Sequence, residues 1–202
     1  MAVDHDDYRT DEELLSDHLG GNIASFSILM ERYKNELLHF LIRFVGSRAA
    51  AEDVFQESFL QIHISAETFD TSRRFKPWLY TIAANKGRDW HRKNSKRTVM
   101  SLSQDIGGEN EGARFVDLME SNQDLPDAQL LDSEQIEQVR RSVDELPVHL
   151  REILLLSYFQ QMSYVQIAES LQIPLGTVKS RLHAAVAAFG SMWQSMNNEK
   201  IE

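Results

Sequence analysis

The sequence predicts an all-α fold, made of two small helical domains joined by a flexible acidic linker. Three observations predict it. The 202 residues include only four prolines and nine glycines. Apolar residues recur every three or four positions, the helical period, and alternation typical of strands is scarce. This periodicity disappears between about residues 98 and 132, where the chain is polar, acidic and contains glycine.

Four helices are predicted in the first domain from residues that commonly begin or end helices. Thr10 and Glu13 form a T-x-x-E capping box, and Gly20-Gly21 ends that first helix. The later signals, in chain order, are Asn22 as a cap, Gly46 as a stop, Ser47 as a cap, and Pro77 in the first turn of the fourth helix.

The second domain begins after the acidic stretch. Within that stretch the segment SLSQDIGGENEG is typical of a linker, with one short helical segment predicted near Phe115–Met119. Helical periodicity returns at Glu134 and continues almost to Met196. The predicted division is therefore 1–97, 98–133 for the linker, and 134–202.

Composition excludes several kinds of function. The absence of cysteine excludes disulfides, thiolate metal sites and cysteine nucleophiles. The seven histidines are scattered, and no H-E-x-x-H, phosphate loop or G-x-S-x-G occurs. We therefore expect no catalytic residue, metal or cofactor, and no enzyme. The acidic start lacks the pattern of an export signal, and the apolar stretches are too short to span a bilayer, so a cytoplasmic protein without membrane contact is expected.

The charges are unevenly distributed, although the net charge is −10. Residues 73–97 hold nine basic side chains and one acidic one. Acidic residues dominate on both sides, with 14 acidic against 5 basic in residues 1–72 and 10 against 1 in residues 98–137. Residues 73–97 therefore form a basic island, which favours a nucleic-acid partner. The negative net charge is weaker evidence, because the acidic residues lie in other parts of the sequence.

Aromatic residues are interleaved with the cations of the basic island. They are Phe75, Trp78, Tyr80 and Trp90. Such a mixture suits single-stranded or locally melted nucleic acid, because cations hold the backbone while rings stack on bases. The alternative is burial, which the shared helix face of Trp78, Ile82 and Trp90 favours for those three.

The segment SYVQIAESLQIPLGTVKSRLHAAV predicts a helix-turn-helix. A short helix over Tyr164–Ser170 precedes a turn at 171–173, and a second helix begins near Thr177. Val178 and Leu182 are predicted to face the first helix. Thr177, Lys179, Ser180 and His183 then point outward, where a recognition helix enters the major groove of DNA. The alternative is an ordinary helical hairpin with a solvated face.

The C-terminal segment resembles region 4 of the extracytoplasmic-function (ECF) group of the sigma-70 family. The resemblance lies in the LP start, the R-E-hydrophobic run, S-Y-x-x-I-A and G-T-V-K-S-R-L-H. It implies that region 4 reads the minus-thirty-five promoter element through Thr177, Lys179, Ser180, Arg181 and His183. One departure is Ala184, where family members often carry arginine, so a phosphate or base contact implied there is missing.

The basic island is similar to region 2 of the same group. The pattern W-L-Y-x-I-A-x-N-x-x-x-D-x-x-R is matched from Trp78 to Arg92. The resemblance implies that region 2 melts and reads the minus-ten element, with a flipped-out base held near Thr68–Arg74. The implied minus-ten residues are Arg73, Arg74, Lys76, Asn85, Lys86, Arg88, Asp89, Arg92 and Lys93.

Upstream, AEDVFQESFLQI resembles the family's polymerase-binding helix. Asp53, Gln56 and Glu57 are thereby implied to contact core RNA polymerase, whose clamp helices and flap are the implied docking sites. Without the resemblance, these side chains would be an ordinary solvated helix face. Promoter DNA is the other implied partner, and an anti-sigma protein is a third that the sequence leaves open.

Two rival functions remain beside an ECF-type sigma factor that initiates transcription. An enzyme is disfavoured by the missing active-site motifs. A repressor or response regulator would share the helix-turn-helix but would need neither the Asp53–Gln56–Glu57 face nor a basic aromatic helix in a separate domain. Binding to purified core polymerase separates these possibilities.

Overall fold

The computed structural model describes residues 7–102 and 133–198, with side chains described over 7–95 and 138–195. These residues form helices joined by short turns, and no strand occurs among them. The helices are α1 (Asp11–Leu19), α2 (Ile23–Val45), α3 (Arg48–Ser65), α4 (Phe75–Leu102), α5 (Ser133–Asp144), α6 (Val148–Tyr158), α7 (Tyr164–Leu171) and α8 (Leu175–Asn198). A single 3-10 turn, Ala66–Thr68, follows α3.

The predicted helix caps are confirmed. The Thr10 side chain accepts a hydrogen bond from the Glu13 amide, and the Glu13 carboxylate accepts one from the Thr10 amide, which completes the capping box. The Asn22 side chain accepts a hydrogen bond from the Ala24 amide at the start of α2, and the Ser47 side chain accepts one from the Ala50 amide at the start of α3. Gly46 ends α2 with a φ of 77°, a left-handed conformation that glycine adopts without a steric penalty.

The N-terminal half, α1 to α4, packs around large aromatic side chains. Phe40, Phe44 and Tyr80 are fully buried, and the Phe40 and Tyr80 rings meet edge to face at 5.2 Å. α4 approaches α2 closely at Gly87, where an added Cβ would lie only 2.5 Å from the Phe44 ring. The absence of a side chain at Gly87 therefore lets the basic helix lie against the core.

The first helix also sets where α4 begins. The Phe75 amide at the start of α4 donates a 2.8 Å hydrogen bond to Glu12 Oε1 on α1. This carboxylate satisfies one of the amides that a helix N-terminus leaves unpaired. Thus α1 supports the helix that carries the basic island.

The C-terminal half is built from α5 to α8 around Ile153, Leu155, Ile167 and Val178, all fully buried. Ser163 and Gln166 form a capping box at the start of α7. Gln172 ends α7 with a φ of 54°, which turns the chain sharply into α8. The predicted helix-turn-helix is confirmed, except that α8 begins at Leu175, two residues before the expected start. Hydrogen bonds from the Thr177 and Val178 amides to the Pro174 carbonyl explain the earlier start.

The two halves pack against each other. α4 lies along α7 and contacts α6, while α2 contacts α5 and α6. The sequence predicted two helical halves, which the structure has, but it gave no indication of this contact. α4 also continues to Leu102, five residues past the expected end of the first domain, and the segment predicted near Phe115–Met119 lies outside the described residues.

Candidate nucleic-acid interface

The outer face of α4 carries the predicted minus-ten residues in two groups. Asn85, Arg92 and Lys93 are exposed, and Arg92 forms a 2.9 Å ion pair with Asp89, one turn earlier in α4. Lys76, Lys86 and Arg88 are half-buried and each meets a carboxylate. The exposed group is therefore accessible to a phosphate backbone, although Asn85 accepts a hydrogen bond from Arg88 and Arg92 is paired with Asp89. The second group is less exposed and is paired with carboxylates from other helices.

The loop before α4 is shaped by Asp70. Its Oδ1 atom accepts hydrogen bonds from the Ser72 amide at 3.0 Å and the Ser72 hydroxyl at 2.6 Å. These bonds lower the pKa of Asp70 below its ordinary value. The turn leaves Arg73 and Arg74 exposed beside the start of α4, where the family resemblance implies a pocket for a flipped base.

The aromatic residues of the basic island lie mostly in the core. Phe75 and Tyr80 are fully buried, which corrects the expectation that they could stack on bases. Trp78 and Trp90 are half-buried and pack against the core, and Ile82 is buried, as their shared face predicted. Base contacts on this helix must therefore come from its polar side chains or from the exposed edge of a tryptophan.

α3 presents the predicted polymerase-binding residues to solvent. Asp53, Gln56 and Glu57 are all exposed, and Glu57 lies 3.8 Å from Lys86 on α4. Further along the same helix face, Leu60 and Ile64 are 60% and 64% exposed. The sequence analysis missed these two apolar residues, although their spacing of seven and eleven positions from Asp53 puts them on the same stripe.

The second helix of the helix-turn-helix presents a polar N-terminal face. Lys179, Ser180 and His183 are exposed, while Thr177 and Arg181 are half-buried. The opposite face holds Val178, Leu182 and Ala185, which are buried against the neighbouring helices. Ala184 is exposed, so the position where the family often has arginine faces solvent with only a methyl group.

One buried carboxylate lies close to both sets of predicted DNA-binding residues. Glu152 on α6 is 2% exposed and accepts a 2.7 Å hydrogen bond from Arg88 of α4. Burial raises the pKa of Glu152, and the positive charges of Arg88 and Arg181 oppose that rise. The sequence analysis missed Glu152, since its pairing depends on the contact between the halves.

Two further kinds of site can be checked in the described residues. No group of three histidine, aspartate or glutamate side chains among residues 7–95 and 138–195 is arranged to hold a metal ion. Within those same parts of the chain, no helix is long and apolar enough to cross a bilayer. The described residues also present an exposed basic face on α4, a polar N-terminal face on α8 and a stripe of polar and apolar residues on α3. This is the combination that the sequence predicts for a DNA-binding protein with a protein partner.

Comparison with known families matches both halves. A model of Sigma-70 region 2 matches residues 29–97, and a model of Sigma-70, region 4 matches residues 136–189. The chain is 31% identical over 163 residues to the ECF RNA polymerase sigma factor SigW of Bacillus subtilis, covering 81% of this chain and 86% of that protein. It is 32% identical to the ECF RNA polymerase sigma-E factor of Haemophilus influenzae, over 87% of this chain and 91% of that protein.

Solved structures share the fold. CnrH in complex with the cytosolic domain of CnrY matches with a TM-score of 0.67 and 21% identity, over 93% of this chain and 99% of that one. The sigma factor RpoE in complex with the anti-sigma factor NepR from Bartonella quintana matches with a TM-score of 0.65 and 20% identity, over 85% and 98%.

Together these matches define a promoter-specific initiation factor that acts with RNA polymerase, with regions 2 and 4 in the order of the sigma-70 family. The two relatives that are 31% and 32% identical over most of the chain are both ECF sigma factors. The chain belongs to the ECF group of the sigma-70 family.

Proposed function

We propose that the chain binds core RNA polymerase through the exposed face of α3, reads the minus-ten element with α4, and reads the minus-thirty-five element with the start of α8. The observation that carries this assignment is the exposure of three faces on three different helices. Asp53, Gln56 and Glu57 on α3, Asn85 to Lys93 on α4, and Lys179 to His183 on α8 are turned to solvent at one or more positions each. We keep 1–97, 98–133 and 134–202 as the proposed functional division.

The α3 stripe has the composition of a protein interface. A pair of exposed apolar side chains, Leu60 and Ile64, continues from the acidic and amide residues at Asp53, Gln56 and Glu57. Interfaces commonly combine an apolar centre with a polar rim. The carboxylates would face basic groups on the clamp helices of the polymerase, and region 4 would meet the flap.

The initiating role needs no catalytic group in this chain, since the polymerase forms the RNA. The contribution of α4 is to stabilise an unpaired strand with exposed Arg92 and Lys93 on its phosphates. The loop at Arg73 and Arg74 would hold an extruded base, whose unstacking costs a few kcal/mol. We place this activity in the cytoplasm, where polymerase and promoter DNA are found.

An anti-sigma protein is a further proposed partner. The structurally similar RpoE of Bartonella quintana was solved in complex with the anti-sigma factor NepR. A regulator of that kind acting on this chain would compete for the faces proposed here, so its binding and polymerase binding should exclude each other.

Charge reversal on α3 tests the polymerase assignment. Asp53→Lys and Glu57→Lys should each weaken capture of core polymerase several-fold, because losing a close interfacial charge pair is costly. Glu31→Lys on α2 makes the same change in charge at a partly exposed site and should bind normally. Capture is measured by pull-down with purified core enzyme, and circular dichroism checks that helical content is unchanged. Capture of core polymerase by Asp53→Lys and Glu57→Lys at the level of wild type and Glu31→Lys would refute the assignment.

A further inference from the structure

Two polar pairs of the same form lie on the outer face of α4. The side-chain oxygen of Asn85, Oδ1, accepts a hydrogen bond from Nη2 of Arg88, three residues later in the helix. One turn further on, Asp89 Oδ1 accepts a 2.9 Å hydrogen bond from Arg92. Residues three positions apart are neighbours on a helix surface. Both pairs therefore form within α4 and need no group from another helix.

The first pair determines which way the Asn85 amide is turned. A side-chain amide has one acceptor, its oxygen, and two donors on its nitrogen, whereas a guanidinium has only donors. Only Oδ1 of Asn85 can therefore face Arg88, and the amide nitrogen is turned away from it. Because Asn85 is exposed, its two N–H groups are available to a ligand while its oxygen is occupied.

Arg88 itself is less accessible than the other arginine of this face. Its side chain is 33% exposed, against 68% for Arg92. A second hydrogen bond, from Nη1 to Glu152, uses the other amino group and does not compete with the bond to Asn85. An arginine commonly binds phosphate through two parallel N–H groups, and at Arg88 both amino groups have partners. This arrangement favours a role for Arg88 that is exerted through Asn85.

An amide that presents only donors discriminates between bases. Asparagine commonly binds adenine through two hydrogen bonds, one donated to N7 and one accepted from the N6 amino group. At Asn85 the positively charged Arg88 occupies the oxygen, so the N6 amino group would have to approach another donor. Thymine, guanine and cytosine each carry a carbonyl oxygen, which accepts hydrogen bonds and matches the outward N–H groups. The amide is therefore suited to a base with a carbonyl oxygen and poorly suited to adenine.

We propose that Arg88 is a positioning residue for minus-ten recognition: it fixes the Asn85 amide so that its N–H groups face the unpaired strand and select a base with a carbonyl oxygen over adenine. This inference rests on the proposed function of α4. It gives Arg88 a different task from Arg92 and Lys93, which are exposed and bind phosphates of any sequence.

Base selection by the complete polymerase tests this proposal. Core RNA polymerase carrying the chain is mixed with a DNA pool in which one strand is unpaired and randomised over the minus-ten segment, and the bound DNA is sequenced. With the wild-type chain, adenine should be depleted roughly fivefold at one position, as expected for the loss of one hydrogen bond. Asn85→Ala should remove the depletion at that position and at no other.

Two variants test the orientation of the amide. Arg88→Met removes the donors that hold the oxygen, so the amide can turn and the depletion of adenine at the Asn85 position should be lost. Asn85→Asp replaces the outward N–H groups with an oxygen, so the preference at that position should reverse in favour of adenine. Because Asn85 is exposed, this second variant tests the proposal even if Arg88→Met fails to fold.

Two controls separate positioning from direct contact. Arg48→Met removes an exposed arginine of α3 that forms a 3.1 Å ion pair with Glu52, one turn later, and should leave the sequenced pool unchanged. Lys93→Ala removes a phosphate contact, so it should lower the recovery of all sequences equally and keep the depletion of adenine.

The proposal is overturned if Arg88→Met behaves like Lys93→Ala, because Arg88 would then be a direct phosphate contact. It is also overturned if Asn85→Asp keeps the wild-type preference, because the outward group would then be an oxygen. A pool that Asn85→Ala leaves unchanged would instead refute base reading by Asn85, and with it the proposed function on which this inference rests. That result differs from one in which Asn85→Ala alters the pool and Arg88→Met does not, which refutes only the positioning role.

Discussion

Asn85 and Lys179 are both exposed and lie on different helices. We expect the two residues to act at different steps of promoter recognition. Asn85 lies on α4, which is proposed to meet the minus-ten element as it opens. Lys179 lies in the first turns of α8, the part of a recognition helix that reaches the major groove of intact duplex. Their loss should therefore affect different steps of initiation.

Lys179→Ala should weaken upstream promoter binding by ~1–3 kcal/mol, the value of one good base contact. Asn85→Ala should instead lower the yield of open complex. A promoter whose minus-ten segment is already unpaired should partly restore Asn85→Ala but not Lys179→Ala. Permanganate footprinting of the bubble on both templates measures this difference. The same defect and the same rescue for both variants would show that these residues do not divide the two tasks.

Two histidines make stability depend on pH. Burial, with a further contribution from His63, lowers the pKa of His18 from 6.5, and burial also lowers the pKa of His91 despite its bond to the Phe44 carbonyl. The unfolded chain therefore binds more protons than the folded chain below about pH 6.5. The free energy of unfolding consequently decreases as the pH is lowered through that range.

Urea unfolding at about pH 7.5 and about pH 5.5 measures this effect. His18→Asn and His91→Asn should each reduce the difference in unfolding free energy between the two pH values. His149→Asn, at an exposed position on α6, is the control and should leave the difference unchanged. A difference as large in His18→Asn and His91→Asn as in wild type would assign the pH dependence to other groups.

At the scale of elements, the position of α4 depends on its neighbours. Glu12 caps its start, Gly87 lets its middle approach Phe44, and His91 bonds to the end of α2. Caps such as Thr10, Asn22 and Ser47 were predictable, because each acts within three residues of itself. The role of Glu12 was not, since its partner Phe75 is 63 positions away.

Gly87→Ala tests how closely α4 must approach α2. The new methyl group would meet the Phe44 ring, and overpacking of this kind costs ~1–3 kcal/mol. Gly190→Ala in α8 is the matched control, because nothing lies within 4 Å of its added Cβ and alanine favours a helix by up to ~1 kcal/mol. Thermal unfolding should therefore move in opposite directions for the two variants. A stabilised Gly87→Ala would mean that α4 can shift away from Phe44 without cost.

At the scale of the whole molecule, the helices and the division into two halves could be predicted from the sequence. The contact between the two halves could not. The helical period of α2 and the turn at Gln172 follow from local residues. Tyr80 and Gln160 are 80 positions apart, and nothing in their local patterns indicates a bond. The same reason explains why Tyr80 was considered for base stacking and Glu152 was overlooked, since both owe their burial to distant parts of the chain.

The central claim is that this chain directs core RNA polymerase to particular promoters. Run-off transcription with purified core enzyme on genomic fragments from the source organism, with RNA 5′ ends mapped by sequencing, tests it most directly. We predict discrete start sites that require the chain and share two upstream motifs, one near minus ten and one near minus thirty-five. The same start sites with core enzyme alone, or no discrete start sites when the chain is added, would contradict the account.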